Sequence, residues 1–117
     1  MLARALADGQ AGVPRRVVAI DYRGRGLSDR DPNWTHYELG VESADIQSLL
    51  TAVEIHKAVF VGTSRGGLHC MLLAVLRPTL LRAVVMNDIG PVLEARGLAR
   101  IRGYVGKLPS PKSWTDA

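Results

Sequence analysis

Five residues, Gly62-Thr63-Ser64-Arg65-Gly66, with Gly67 directly after them, hold the clearest chemistry in this sequence. A serine framed by glycines two positions away on either side suits a sharp turn that lifts a hydroxyl into the open as a nucleophile. Glycines at 62 and 66 have no β-carbon, so the chain before and after the serine can pass close by on both sides. At the start of a helix, the dipole and the first-turn backbone N–H groups would stabilise an oxyanion. Ser64 is therefore the expected catalytic nucleophile and the Arg65 N–H an expected oxyanion-hole donor, with Gly62 and Gly66 shaping the turn. The competing reading is a glycine-rich turn with an incidental serine.

Such a turn requires a strand before it and a helix after it. Residues 58–62 (AVFVG) are a short apolar run of strand type, and 65–76 are apolar almost all round, which predicts a deeply buried helix. Within that helix Leu68, Met71, Leu72 and Val75 fall at i, i+3, i+4 and i+7, and Pro78 supplies the stop. Two further runs, 16–21 (RVVAID) and 81–88 (LRAVVMND), read as parallel strands buried on both faces. Between the first two runs, Ile46, Leu49, Leu50 and Val53 put one apolar face on a helix over 39–53. The order is β-α-β-α-β, an α/β class with a parallel sheet. Residues 2–7 read as the end of a preceding helix, 94–106 as one or two short basic helices, and 108–117 as a loose Pro/Ser-rich tail.

Composition narrows the function classes. The chain has 117 residues, 47% apolar and 22% charged, which is the balance of a water-soluble globular protein. Its longest uninterrupted apolar stretch, 70–76, is far short of the roughly 20 residues that cross a bilayer. The N-terminal residues lack the apolar block of a signal peptide, so the cytoplasm is the expected compartment and no membrane the expected partner. Twelve of the fifteen basic residues are arginines, but they are spread along the chain, and a net charge of +4 predicts no nucleic-acid partner. The lone cysteine, Cys70, excludes an internal disulfide framework and a multi-cysteine zinc site and reads as a small core residue. No metal or cofactor is expected.

Three segments in their order resemble the α/β-hydrolase superfamily, over residues 15–114. The turn at 62–66 matches its nucleophile elbow. Asp21-Tyr22-Arg23-Gly24-Arg25-Gly26-Leu27-Ser28-Asp29 is similar to the D-x-R-G-x-G-x-S loop after the family's fourth strand. Asn87-Asp88-Ile89-Gly90-Pro91 matches the end of the sixth strand, where a cap usually departs. The resemblance implies a partial α/β-hydrolase core over residues 1–92, holding the fourth to sixth strands, and the start of a cap or lid over 93–117. It also implies a serine hydrolase acting on an ester-like or other carbonyl substrate through an acyl-enzyme. The alternatives are a non-catalytic hydrolase-like binding module and an acyltransferase. A dinucleotide site fails because Asp29 stands where the third glycine of that fingerprint belongs, and a P-loop fails because no Lys-Ser or Lys-Thr follows the elbow glycines.

A serine at its ordinary pKa needs a base, and a third group to orient that base. The family takes its histidine after the last strand and its acid usually after the seventh, and neither stretch is matched here. His69 reads as a packed or surface-capped histidine, and His56 lies at the sheet edge opposite the elbow. His36 lies on the correct edge as a minor candidate for substrate contact. Asp88 is a minor candidate for the triad acid, against a strand-end turn in which it bonds to backbone amides. Arg96, Arg100 and Arg102 could favour an acidic substrate, against a solvated helix face. The family's His-Gly loop after its third strand is also unmatched, so that strand's place between 16–21 and 58–62 stands empty. Another polypeptide could fill the gap, or the two runs could close on each other. The sequence reads as an internal fragment, inert alone, with the rest of the hydrolase domain as a candidate partner.

Overall fold

The structure, a computed structural model, describes residues 2–10, 12–107 and 113. The chain divides into two compact units, residues 1–52 and 53–117, each described by itself.

In the first unit helix α1 (Leu2–Ala7) is followed by an extended stretch, a polar loop and a single 3-10 turn, Trp34–His36. Asn33 caps that turn, its side-chain oxygen accepting from the Thr35 N–H. Helix α2 (Leu39–Ala52) then buries Glu42, Ser43, Ile46 and Leu50. The expected Ile46 and Leu50 are inside, while Leu49 and Val53 are half-buried. The buried side continues towards the helix start through Glu42 and Ser43, which apolar periodicity could not announce.

In the second unit β1 (Ala58–Thr63) runs through α3 (Arg65–Leu76) and a 3-10 turn (Pro78–Leu80) into β2 (Leu81–Asn87), and α4 (Ala95–Tyr104) follows. The strands are parallel, with Phe60 beside Val84, Val61 beside Val85 and Gly62 beside Met86. The Arg77 N–H closes α3 on the Leu73 carbonyl at 2.8 Å, and Pro78 begins the next turn. The predicted bounds of α1 and α3 hold.

Three expectations are corrected. Residues 16–21 join no strand ladder among the described residues, where the sheet is two-stranded. A β-prone run becomes a strand only when a neighbour takes up its backbone groups. Val18 and Ile20 accordingly stand 40% and 36% exposed. Burial on both faces fails for the paired strands too, since Val59, Val61 and Val85 are exposed. Finally, α3 is buried on one side only. Gly67, His69, Cys70 and Leu73 are inside, but Val75 of the expected apolar face is 79% exposed. The buried side mixes the fully buried Leu73 and His69 with the small Gly67, which lets the helix approach β2 closely. A β-carbon on Gly67 would collide with the Ile89 side chain and meet Met86 Cε at 3.4 Å.

Helix α4 falls where a basic helix is expected, and every residue of it is exposed, Arg96, Arg100 and Arg102 included. The tail expected at 108–117 lies outside the described residues except for Ser113.

Candidate active site

Ser64 sits between the last residue of β1 and the first of α3, with φ 49° and ψ −112°. A positive φ at a residue with a β-carbon is uncommon, and this ψ takes it outside the left-handed helical basin as well. Three backbone features hold it there. The Ser64 N–H donates to the Asn87 carbonyl at 3.2 Å, carrying the β1–β2 ladder one residue past the end of β1. The Gly67 N–H donates back to the Ser64 carbonyl at 2.9 Å and closes the first turn of α3. Gly62 makes room: a β-carbon there would lie 2.5 Å from the carbonyl carbon and oxygen of Gly66. Both turn-shaping glycines thus meet at one point, because strand and helix cross closest there.

Beside the turn, Asn87 Nδ2 donates to the Thr63 hydroxyl at 3.2 Å and ties the two strand ends together. Ser64 is an exposed residue, and its side chain makes no capping hydrogen bond to α3. Arg65 is the first residue of α3, at the positive end of the helix dipole. Asp88 follows β2 with φ 57° and is exposed. Cys70 is buried, and burial pushes its thiol pKa up, which keeps it protonated and unreactive.

The second matched segment, in the first unit, is organised by side chains. Asp21 Oδ2 accepts from the Leu27 N–H at 3.1 Å, and the Ser28 hydroxyl donates to the Asp21 carbonyl at 2.8 Å. A β-carbon on Gly26, at φ 51°, would collide with the Asp21 carboxylate. Arg23 is the hub: Nε and one terminal nitrogen donate to the two Asp45 oxygens at 2.7 Å each, and the other donates to Asp31 at 2.9 Å. That fork raises the Arg23 pKa, chiefly through Asp45. Asp31 also accepts from the Asn33 N–H at 2.8 Å and contacts His36 Nδ1 at 2.7 Å. The Asn33 N–H first, then His36, hold its carboxyl below the usual range. Tyr37 closes the cluster, its hydroxyl accepting from the Asp31 N–H and donating to the Asp31 carbonyl. A cavity of about 600 Å³ opens beside this loop, lined among others by Asp21, Arg23, Asp31, Glu42 and Leu49.

The histidines are thereby placed. Both ring nitrogens of His36 are engaged, Nδ1 with Asp31 and Nε2 with Asn33 at 3.1 Å. His69 is 2% exposed, more deeply packed than a surface-capped histidine would be. His56 is exposed in the turn before β1. Sequence reasoning missed Asn87 as a tie between strand ends and Arg23 as a hub. Asp45, the main partner of Arg23, lies 22 residues away, so no local spacing announces that pair.

Comparison with known proteins follows the same outline. A family model described as the alpha/beta hydrolase fold matches residues 2–110. A 3-hydroxybutyrate-oligomer hydrolase of Cupriavidus necator is 35% identical over 91 residues, 78% of this chain and 31% of that protein. The sn-1-specific diacylglycerol lipase ABHD11 of Mus musculus is 38% identical over 78 residues, 67% of this chain and 24% of its own length. The crystal structure of an alpha/beta hydrolase from Novosphingobium aromaticivorans superposes with a TM-score of 0.67 at 44% identity, covering 74% of this chain and 30% of that one. The chain thus spans less than a third of the length of each of these three relatives. With its family model matched along nearly its whole length, this chain belongs to the alpha/beta hydrolase fold family.

Proposed function

We propose that this chain is the nucleophile-bearing part of a serine hydrolase that cleaves an ester-like carbonyl compound through an acyl-enzyme. The observation that carries the reading is the backbone of Ser64: a strained, positive-φ serine between strand and helix, exposed and with no side-chain capping bond to the helix. Strain at a non-glycine residue persists only where the surroundings enforce it, and such sites cluster where chemistry is done. The names of two relatives, a 3-hydroxybutyrate-oligomer hydrolase and a diacylglycerol lipase, support the same reading.

In this mechanism the Ser64 oxygen attacks the substrate carbonyl carbon as its proton passes to a base. The tetrahedral oxyanion is held by the Arg65 N–H at the positive end of α3. The intermediate collapses, the carbon–oxygen bond to the alcohol breaks, and the alcohol leaves with the proton. Water then attacks the acyl group and restores the serine. The base comes from polypeptide beyond these residues. His36 is committed to Asp31 and Asn33, His69 is buried, and His56 precedes β1 at the opposite strand end. Residues 1–92 act as core and 93–117 as the start of a cap.

A second reading, a binding module without turnover, draws on the same lack of a base. The two separate in the Novosphingobium hydrolase rebuilt with this chain in place of its matched segment. The hydrolase reading expects turnover of a p-nitrophenyl ester, with an initial burst, that Ser64→Ala abolishes. A folded hybrid that cleaves no ester, or cleaves it equally well with Ser64→Ala, would sink the reading. Acceptor-dependent product without hydrolysis would mark an acyltransferase instead.

A further inference from the structure

We infer that His36 is a proton-operated latch on the 3-10 turn Trp34–His36: a proton taken up at its Nε2 releases the Asn33 cap that starts the turn. The inference is independent of the hydrolase reading. It rests on which atoms around the imidazole can donate and which can accept.

A backbone N–H can only donate, so the Asn33 atom facing the Thr35 N–H at 3.1 Å is the amide oxygen, which also accepts from the Thr35 hydroxyl at 2.7 Å. That leaves Asn33 Nδ2, another donor, 3.1 Å from His36 Nε2. Nε2 must therefore accept, and the ring proton sits on Nδ1, donated to Asp31 Oδ2 at 2.7 Å. Both ring nitrogens are matched in one protonation state only, the neutral imidazole.

A second proton on the ring sets Nε2–H against the Asn33 amide hydrogens, so one contact must break. The Asp31 carboxylate attracts the imidazolium, which keeps the ring on that side. The other charged and titratable groups of the cluster hold Asp31 in place: Arg23 and Tyr37 bond to it directly, and Asp45 of α2 grips Arg23. Asn33 gives way instead. Rotating its amide offers the oxygen to Nε2–H and turns Nδ2 onto the Thr35 N–H, which removes the cap. The turn then keeps two backbone bonds, from the His36 N–H to the Asn33 carbonyl at 3.1 Å and from the Tyr37 N–H to the Trp34 carbonyl at 3.2 Å.

The His36 side chain is 48% exposed, so the proton arrives directly from solvent. The capped turn is thus present while the ring is neutral and is lost as pH falls through the range in which histidines titrate, about pH 8 to 5. Asp31 stays ionised throughout, its carboxyl being held low by the Asn33 N–H first and then by His36. What the latch governs is the segment carrying Trp34, 81% exposed, which follows Pro32 in the lining of the 600 Å³ cavity.

The test follows the Thr35 amide and the His36 Cε1 proton by NMR in the full chain, from about pH 8 to 5. Protection of the Thr35 N–H, corrected for the intrinsic pH dependence of exchange, is expected to fall by about fivefold as the ring protonates. Both signals should share one midpoint. In His36→Gln the protection should stay flat over the same range. Asn33→Asp separates the latch from general loosening in acid, because a carboxylate accepts from the Thr35 N–H and from Nε2–H together. Its protection should hold or rise on acidification, with the Ile46 and Leu50 amides of α2 gauging the fold in every variant. A fall seen only below about pH 4, where Asp31 titrates, overturns the inference. So does an equal fall in His36→Gln or Asn33→Asp, or a His36 titration that leaves Thr35 unchanged.

Discussion

The turn around Ser64 and the loop from Asp21 to Tyr37 both follow extended chain, yet they are held by different means. At Ser64 the shape comes from backbone: ladder extension to Asn87, closure of the first turn of α3, and the approach of Gly62 to Gly66. In the loop the shape comes from charged and polar side chains converging on Arg23 and Asp31. Backbone packing tolerates almost no added volume and does not depend on pH. A polar network gives way gradually and titrates. The turn that carries Ser64, the proposed nucleophile, is built the first way, which keeps its geometry independent of solution conditions.

Substitutions that add one methyl group compare the two regions most sharply. Gly62→Ala is expected to cost the most, about 3 kcal/mol or more, because its methyl meets the backbone of Gly66, which cannot rotate away. The loss should appear as faster amide exchange across β1, α3 and β2. Gly24→Ala places its methyl against the Tyr37 ring, 2.7 Å from Cε1, at a backbone φ of 70°. A side chain can yield where a backbone cannot, so about 1–2 kcal/mol is expected, confined to amides of residues 20–45. Equal losses in the two variants would erase the distinction between backbone and side-chain support.

The pH response should separate them again. The Asp31 carboxyl is held below its ordinary range by the Asn33 N–H and by His36 and Arg23, so its contribution is present above the unfolded value of about 3.9. That contribution is lost as pH falls through the lowered native value. Loop amides should therefore lose protection on acidification below about pH 4, while the Ser64 turn, which holds no such carboxylate, keeps its protection. Arg23→Gln should loosen the loop a few-fold in exchange at neutral pH and leave β1 and α3 unchanged. The smallest effect belongs to Leu27→Ser. Leu27 is 99% exposed and contributes its backbone N–H to Asp21, so stability should change by no more than about 0.5 kcal/mol.

Local features were legible in the sequence and non-local ones were not. The glycine–serine spacing located the turn, and helix α3 follows from the apolar stretch and Pro78 because both signals lie within a few residues. Residues 16–21 carry every local mark of a strand, but a ladder requires a neighbour, and none is present among the described residues. The buried side of α3 differs from the apolar periodicity because hydrophobicity ranks Val75 above Gly67 and His69, yet those two are buried beside Leu73 while Val75 is exposed. Glu42 and Ser43 are buried in α2 although neither residue type signals burial. The Arg23–Asp45 fork depends on a fold that brings together residues far apart in the chain.

The central claim is that Ser64 is an activated nucleophile once the rest of a hydrolase domain surrounds it. It is tested most directly by exposing the Novosphingobium hydrolase, rebuilt with this chain in place of its matched segment, to a fluorophosphonate and measuring the intact mass and the modified peptide. The expected result is a single adduct on the peptide containing Ser64, absent in Ser64→Ala and absent when this chain is treated alone. A folded hybrid that stays unmodified, or an adduct that persists in Ser64→Ala, would contradict it.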